Sequence, residues 1–134
     1  MTEALRQRDG TQTVLLVEDC DDSRFVFRKM LETLGYRAIA ACDAEEAIRL
    51  SQDHEGAIDL LLADVMLPGM NGRVLADLLS ESDPGLRVVF MSGYPAEKVA
   101  CEGRQFLQKP FTTEQAAAAI RQALDAAPVR STLV

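Results

Sequence analysis

The chain has 134 residues, with 14 Lys+Arg against 21 Asp+Glu, a net charge of −7 and 48% apolar residues. This length accommodates one compact domain, and folding at this size hides roughly two thirds of the surface the unfolded chain exposes, so no disulfide or structural metal is needed for stability. The acidic balance excludes a chain whose main task is neutralising phosphates on nucleic acid or anionic lipid.

Three cysteines, Cys20, Cys42 and Cys101, are scattered without a CxxC pair, which suits free thiols in a reducing compartment. Cys20 reads as an inert thiol, because no neighbouring cation in the sequence lowers its pKa. The start, MTEALRQRDGTQ, has no apolar signal region, and no window nears 18 uninterrupted apolar residues, so the expected address is the cytoplasm. Neither membrane nor nucleic acid is an expected partner.

Residues 1–12 are polar and read as a disordered lead-in, 13–126 as the folded domain and 127–134 as a tail. Thr13 to Val17 is a nearly continuous apolar run, as befits a central parallel strand covered on both faces. A first helix is predicted from Asp22 or Ser23, capped by Asp21 or Asp22, with Val26, Phe27, Met30, Leu31 and Leu34 facing the sheet and Gly35 ending it. Arg37 to Ala41 is a weaker strand. Asp43-Ala-Glu-Glu46 then opens a second helix with Ala47, Ile48 and Leu50 inward.

Ile58 to Ala63 forms a third strand that runs directly into Asp64. After the turn at Pro68 to Gly72 comes a third helix with Val74, Leu75, Leu78 and Leu79, then a turn at Asp83-Pro84-Gly85. Leu86 to Met91 is the fourth strand, ending in Ser92-Gly93, and Gln105 to Gln108 the fifth, ending in Lys109-Pro110. A closing helix starts at Thr112 or Thr113, with Gln115 placed for a reciprocal cap. Short apolar runs alternating with helical segments specify a parallel α/β sheet.

In an open doubly wound sheet, ligands sit beyond the carboxyl ends of the strands. Those ends carry Glu18-Asp19, Asp64, Ser92 and Lys109. Converging carboxylates repel one another unless a cation or proton intervenes, and Mg²⁺, which favours a few carboxylates plus water and phosphate oxygens, is the natural partner. Asp64 is then a candidate nucleophile toward phosphorus, with the Ser92 hydroxyl and the Lys109 ammonium placed to stabilise the transferring oxygens. No GxxxxGK[ST] or GxGxxG pattern is present, so nucleotide binding is not expected.

The stretches VLLVEDCDDSR, LLLADVMLPGMNG, VVFMSGY and FLQKPF, in this order and spacing, make the chain similar to receiver domains of the two-component response regulator superfamily over about residues 13 to 126. The resemblance implies a flavodoxin-like doubly wound sheet of five parallel strands in the order 2-1-3-4-5 with five helices. It implies that Asp64 accepts a phosphoryl group from a histidine kinase or a histidine phosphotransfer protein. It also implies that Mg²⁺ is held by Asp19, Asp64 and the backbone carbonyl of Met66, with Glu18 acting through a coordinated water. Ser92 and Phe106 take the switch positions, Lys109 contacts the phosphoryl group, and the peptide before Pro110 is expected to be cis. The bulky residues at the Met66 and Tyr94 positions imply restricted water access and a persistent phosphoryl group.

One departure stands out. The span from Ser92 to Lys109 is about a helical turn or more shorter than usual for such receivers, so the fourth helix, around Pro95 to Cys101, is expected to be short or irregular. That shortening argues for a monomer and motivates a rival reading, a receiver-like interaction module that works without phosphorylation. A haloacid-dehalogenase-like phosphatase also uses a strand-end aspartate, but it needs a second acid two residues on. Here that residue is Met66, so a turnover enzyme is not expected. The wording F-M-S-G-Y is similar to receivers attached to hybrid histidine kinases and to a subgroup of stand-alone ones.

Overall fold

The computed structural model describes residues 11–95 and 103–126. Five strands, β1 (Thr13–Val17), β2 (Arg37–Ala41), β3 (Leu60–Asp64), β4 (Arg87–Ser92) and β5 (Gln105–Gln108), form one sheet in the order β2-β1-β3-β4-β5. All four pairings are parallel. Among the described residues there are four helices, α1 (Asp21–Thr33), α2 (Ala44–Asp53), α3 (Gly72–Ser82) and α4 (Thr113–Asp125). The expected short fourth helix, and Cys101 with it, falls chiefly on residues 96–102, outside the described residues. The helix labelled α4 is therefore the predicted closing helix.

Burial follows position in the sheet. Every residue of β1 and β3 is buried, whereas the edge strands β2 and β5 are only partly covered. Side chains alternate across the pleat, so β1 sends Leu15 and Val17 toward α2 and α3 and Val14 and Leu16 toward α1 and α4. Leu75 and Ala76 of α3 complete the first layer; Leu31 of α1 and Ile120 of α4 complete the second.

Local chemistry sets the helix starts. Asp43 accepts from the Glu46 amide at 2.8 Å, and Glu46 reaches back to the Cys42 amide at 2.7 Å, one residue before the usual capping-box partner. Thr112 and Gln115 form the expected reciprocal cap at α4. Helix α1 departs from expectation: it starts at Asp21, and Cys20 occupies the cap position. Glu18 Oε2 accepts the Cys20 amide at 3.1 Å and folds the strand end into the helix early, leaving Asp21 and Asp22 in the first turn where the helix dipole favours them.

One inward assignment is corrected: Val26 is exposed, because Phe27, Met30 and Leu31 suffice under α1. Under α3 the layer is filled by Leu75, the smaller Ala76 and the partly buried Leu79, and Val74 and Leu78 of the same helix are exposed. Strand β3 begins two residues later than expected, since Asp59 is used as a brace. Its carboxylate takes the Thr13 amide at 2.8 Å and its carbonyl takes the Arg87 amide at 3.2 Å.

Gly72 opens α3 against the end of β3. A Cβ there would collide with the Asp64 carbonyl oxygen and lie 3.1 Å from Val65 Cα, both backbone atoms fixed by the sheet. The Gly72 amide in turn donates to Val65 O at 2.9 Å. Gly72→Ala is therefore expected to cost about 3 kcal/mol, the upper end for overpacking, measured as a fall in the urea midpoint at unchanged slope.

Candidate functional site

Strand order brings the polar residues together. Because β1 and β3 are hydrogen-bonded neighbours, Glu18, just beyond β1, comes beside Asp64 at the end of β3. One oxygen from each of Glu18, Asp19 and Asp64 falls within 4.8 Å of the others. Glu18 and Asp64 are buried and Asp19 is exposed.

Lys109 arrives from the far side of β4. Its Nζ donates to Glu18 Oε1 and to Asp64 Oδ2, both at 2.6 Å. The backbone fixes its root, since the Lys109 amide donates to Ser92 O at 2.8 Å, and the Lys109-Pro110 peptide is cis. The second Asp64 oxygen is also occupied: Oδ1 accepts the Met66 amide at 2.8 Å. Ser92 is buried, and its hydroxyl oxygen accepts the Tyr94 amide at 3.0 Å. Phe106 is partly buried on β5, paired in register with Phe90 and packed on the α2/α3 layer.

Burial is the main influence on Glu18, and it lifts the carboxyl above its ordinary value even though the Lys109 ammonium and the Cys20 amide oppose it. For Lys109 burial pulls downward, yet the Asp64 and Glu18 carboxylates outweigh it and hold the ammonium above its ordinary value. Cys20 corrects the expectation of an unperturbed thiol. The backbone N–H groups of Ser23 and Asp22, open at the start of α1, bring it below the usual thiol value without any nearby cation.

Two supporting features were not foreseen. The Phe27 ring lies 5.7 Å from Lys109 Nζ and stacks on Phe111 at 5.0 Å between centroids, giving the ammonium an aromatic seat. The only sequence signal for it was Phe111 directly after Pro110. The Arg24 guanidinium donates to the Glu18 carbonyl at 2.9 Å and pairs with Asp21, tying α1 to the acidic turn.

The donor set fits a hard divalent cation. It offers only carboxylate oxygens, one of them open to solvent, and in the described structure a single ammonium neutralises the two buried members.

The sequence profile of the response regulator receiver domain matches residues 14–121. The chain belongs to this family. It is 32% identical over 121 residues to sensor kinase CckA of Brucella abortus, a match covering 87% of this chain and 13% of that protein. It is 34% identical to the response regulator receiver protein CpdR of the same organism, over 73% of this chain and 84% of that one. Among solved structures, the receiver domain of the hybrid histidine kinase CckA superposes with a TM-score of 0.73 at 34% identity, covering 84% of this chain and 99% of that one. The chain is thus a receiver domain of two-component signalling, spanning a small part of one relative and most of the other. No helix of the described residues is long and apolar enough to cross a membrane.

Because Lys109 stands above its ordinary value in the folded protein, its stabilisation is complete below its unfolded value of 10.5 and fades as pH rises through the folded one. Glu18 works in the opposite sense: its raised carboxyl burdens the fold at neutral pH and is relieved as pH falls through the raised value. Lys109→Met is expected to cost about 2–3 kcal/mol at pH 7, less than a fully buried pair because the lysine is partly exposed. Urea unfolding of the two proteins at neutral and strongly alkaline pH should show this gap narrowing at the alkaline end.

Proposed function

We propose that Asp64 accepts a phosphoryl group from a histidine kinase or histidine phosphotransfer protein, and that this event switches a protein-interaction surface. The observation that carries the reading is the ammonium of Lys109 bridging Glu18 and Asp64 at 2.6 Å beside a third, open carboxylate. Glu18, Asp19, Asp64 and the Met66 carbonyl would hold Mg²⁺, which when bound offsets carboxylate charge and takes a phosphoryl oxygen.

In the transfer, an Asp64 carboxylate oxygen forms the O–P bond as the P–N bond to the donor imidazole breaks, and the electron pair of that bond stays on the imidazole nitrogen. The incoming phosphoryl group carries its own negative oxygens. The Lys109 ammonium, already hydrogen-bonded to Asp64, is positioned to follow them, and the Ser92 hydroxyl at the adjoining strand end supplies a donor. Phe106, on the edge strand β5 and packed on the α2/α3 layer, is the residue we assign to transmit the change.

The chain performs only its own phosphorylation and dephosphorylation, without turnover on external esters, because Met66 stands where a phosphatase of the rival class needs its acid. The kinase relative supports a histidine-kinase donor, although the chain corresponds to a small share of that protein. A cytoplasmic site of action suits this donor.

Incubation with acetyl phosphate and Mg²⁺ is expected to add one phosphoryl group, read by intact mass. Asp64→Asn, or removal of the metal by chelation, should abolish the adduct. Stoichiometric labelling of Asp64→Asn would overturn the assignment, while a folded wild-type protein that takes no label would favour the phosphorylation-independent module.

Met66 and Tyr94 flank the site with large exposed side chains, 53% and 62% accessible. Replacing Met66 by Asn, which admits and orients water, should shorten the adduct's lifetime several-fold while leaving the labelling stoichiometry intact. The decay of the adduct mass with time checks this.

A further inference from the structure

Two lysines stand over phenylalanine rings of α1 at the same distance, 5.7 Å from the centroid: Lys29 over Phe25 and Lys109 over Phe27. Burial separates the two pairs. Phe25 is 63% exposed, so water screens its attraction for Lys29. Phe27 packs partly buried on the layer of Val14, Leu16 and Leu31, and the Lys109 side chain is only 24% accessible. The negative face of the Phe27 ring therefore acts on a cation largely withdrawn from water.

The ring is fixed from the lysine's own turn. Phe27 stacks on Phe111, with centroids 5.0 Å apart and planes 20° from parallel, and Phe111 follows Lys109 by two residues. Lysine and both rings thus close a loop between α1 and the β5–α4 turn. An ammonium has three N–H donors, and the carboxylates of Glu18 and Asp64 take two of them at 2.6 Å. A divalent cation entering among Glu18, Asp19 and Asp64 needs the same carboxylate oxygens. Mg²⁺ keeps much of its water and bonds through oxygen, so the ring favours the lysine alone.

We propose that Phe27 is a positioning residue of this site: its ring holds the Lys109 ammonium on Glu18 and Asp64 and thereby sets how readily Mg²⁺ displaces the lysine. The metal half of the inference rests on the reading of the site as a Mg²⁺-dependent phosphoacceptor, and the hold of the ring on the ammonium does not. The sign is distinctive. Weakening the ring should raise the affinity for Mg²⁺, because the internal competitor loosens, whereas damage to a merely structural residue would spread the carboxylates and lower it.

The test uses the full-length chain with Phe27 replaced by a phenylalanine whose ring carries three fluorines, which keeps the shape and removes most of the negative face. Phe27→Leu, Phe27→Tyr and Phe25→Leu accompany it. Without metal, urea unfolding should show the fluorinated ring lowering the folding constant about three- to fivefold when Lys109 is present and leaving it unchanged in Lys109→Met. In ¹⁵N spectra titrated with Mg²⁺, the Asp19 and Met66 amides should report a dissociation constant about threefold lower for the fluorinated chain and Phe27→Leu. Phe27→Tyr, which restores the ring face, and Phe25→Leu should match the wild type. Equal loss of stability with and without Lys109 would overturn the proposal, as would unchanged or weaker Mg²⁺ binding by the fluorinated chain. A wild type without Mg²⁺-dependent shifts would overturn the metal reading and the competition together, and the metal-free comparison would still decide the hold of the ring on the lysine.

Discussion

The ammonium of Lys109 between Glu18 and Asp64 is the interaction on which the rest of the structure depends. Two buried carboxylates facing each other are tolerated only with a compensating charge, and one lysine serves both at 2.6 Å. That geometry requires three strand ends at once. The order β2-β1-β3-β4-β5 puts Glu18 and Asp64 on neighbouring strands and leaves Lys109 to reach past the end of β4. The Ser92 carbonyl holds the lysine's backbone for that reach, and the Phe27–Phe111 stack borders its ammonium.

The surrounding packing keeps this end of the sheet from relaxing. Gly72 brings the start of α3 so near the Asp64 carbonyl that a single added methyl has no room, and its amide ties the helix back to Val65. On the other flank, Arg24 clamps the Glu18 carbonyl. The carboxylates are thus held by backbone on both sides, and the charge is held where it is costly. Burial lifts Glu18 while the carboxylates lift Lys109, so each ionised partner requires the other.

Much of this was legible in the sequence because the chemistry and the period agreed. Five apolar runs, four of them ending in Glu18-Asp19, Asp64, Ser92 and Lys109, marked the strands, and the ligand-bearing end of an open parallel sheet marked the site. Thr112–Gln115 and Asp43–Glu46 are local signals: the first closes its reciprocal cap as read, and the second caps its helix through Asp43 while Glu46 takes the Cys42 amide. What escaped depends on distant partners. That Val26 stays exposed while Phe27, Met30 and Leu31 pack inward is set by the room under α1, which periodicity alone does not measure. Cys20 at the cap position follows from a tertiary demand, the Glu18 carboxylate turning back onto the Cys20 amide. The aromatic seat of Lys109 joins residues on α1 and the β5–α4 turn, more than 80 positions apart, and no local pattern announces such a pair.

The acidic pair divides its labour by side-chain length and exposure. Glu18 is long enough to turn back, placing one oxygen on the Cys20 amide and the other on Lys109, so its hydrogen bonds are spent on holding β1, α1 and β5 together. Asp19, shorter and directed to solvent, is left with its oxygens near the same point. Under the proposed function, a divalent cation arriving from solvent would meet Asp19 first and compete with Lys109 for the two buried carboxylates. Any charge that arrives on Asp64 alters the same balance from the opposite side, because it draws the ammonium away from Glu18. Under the proposed function, metal, phosphoryl group and lysine would act on one electrostatic equilibrium, and its backbone connection to Ser92 is where a local change of charge would become a change of shape.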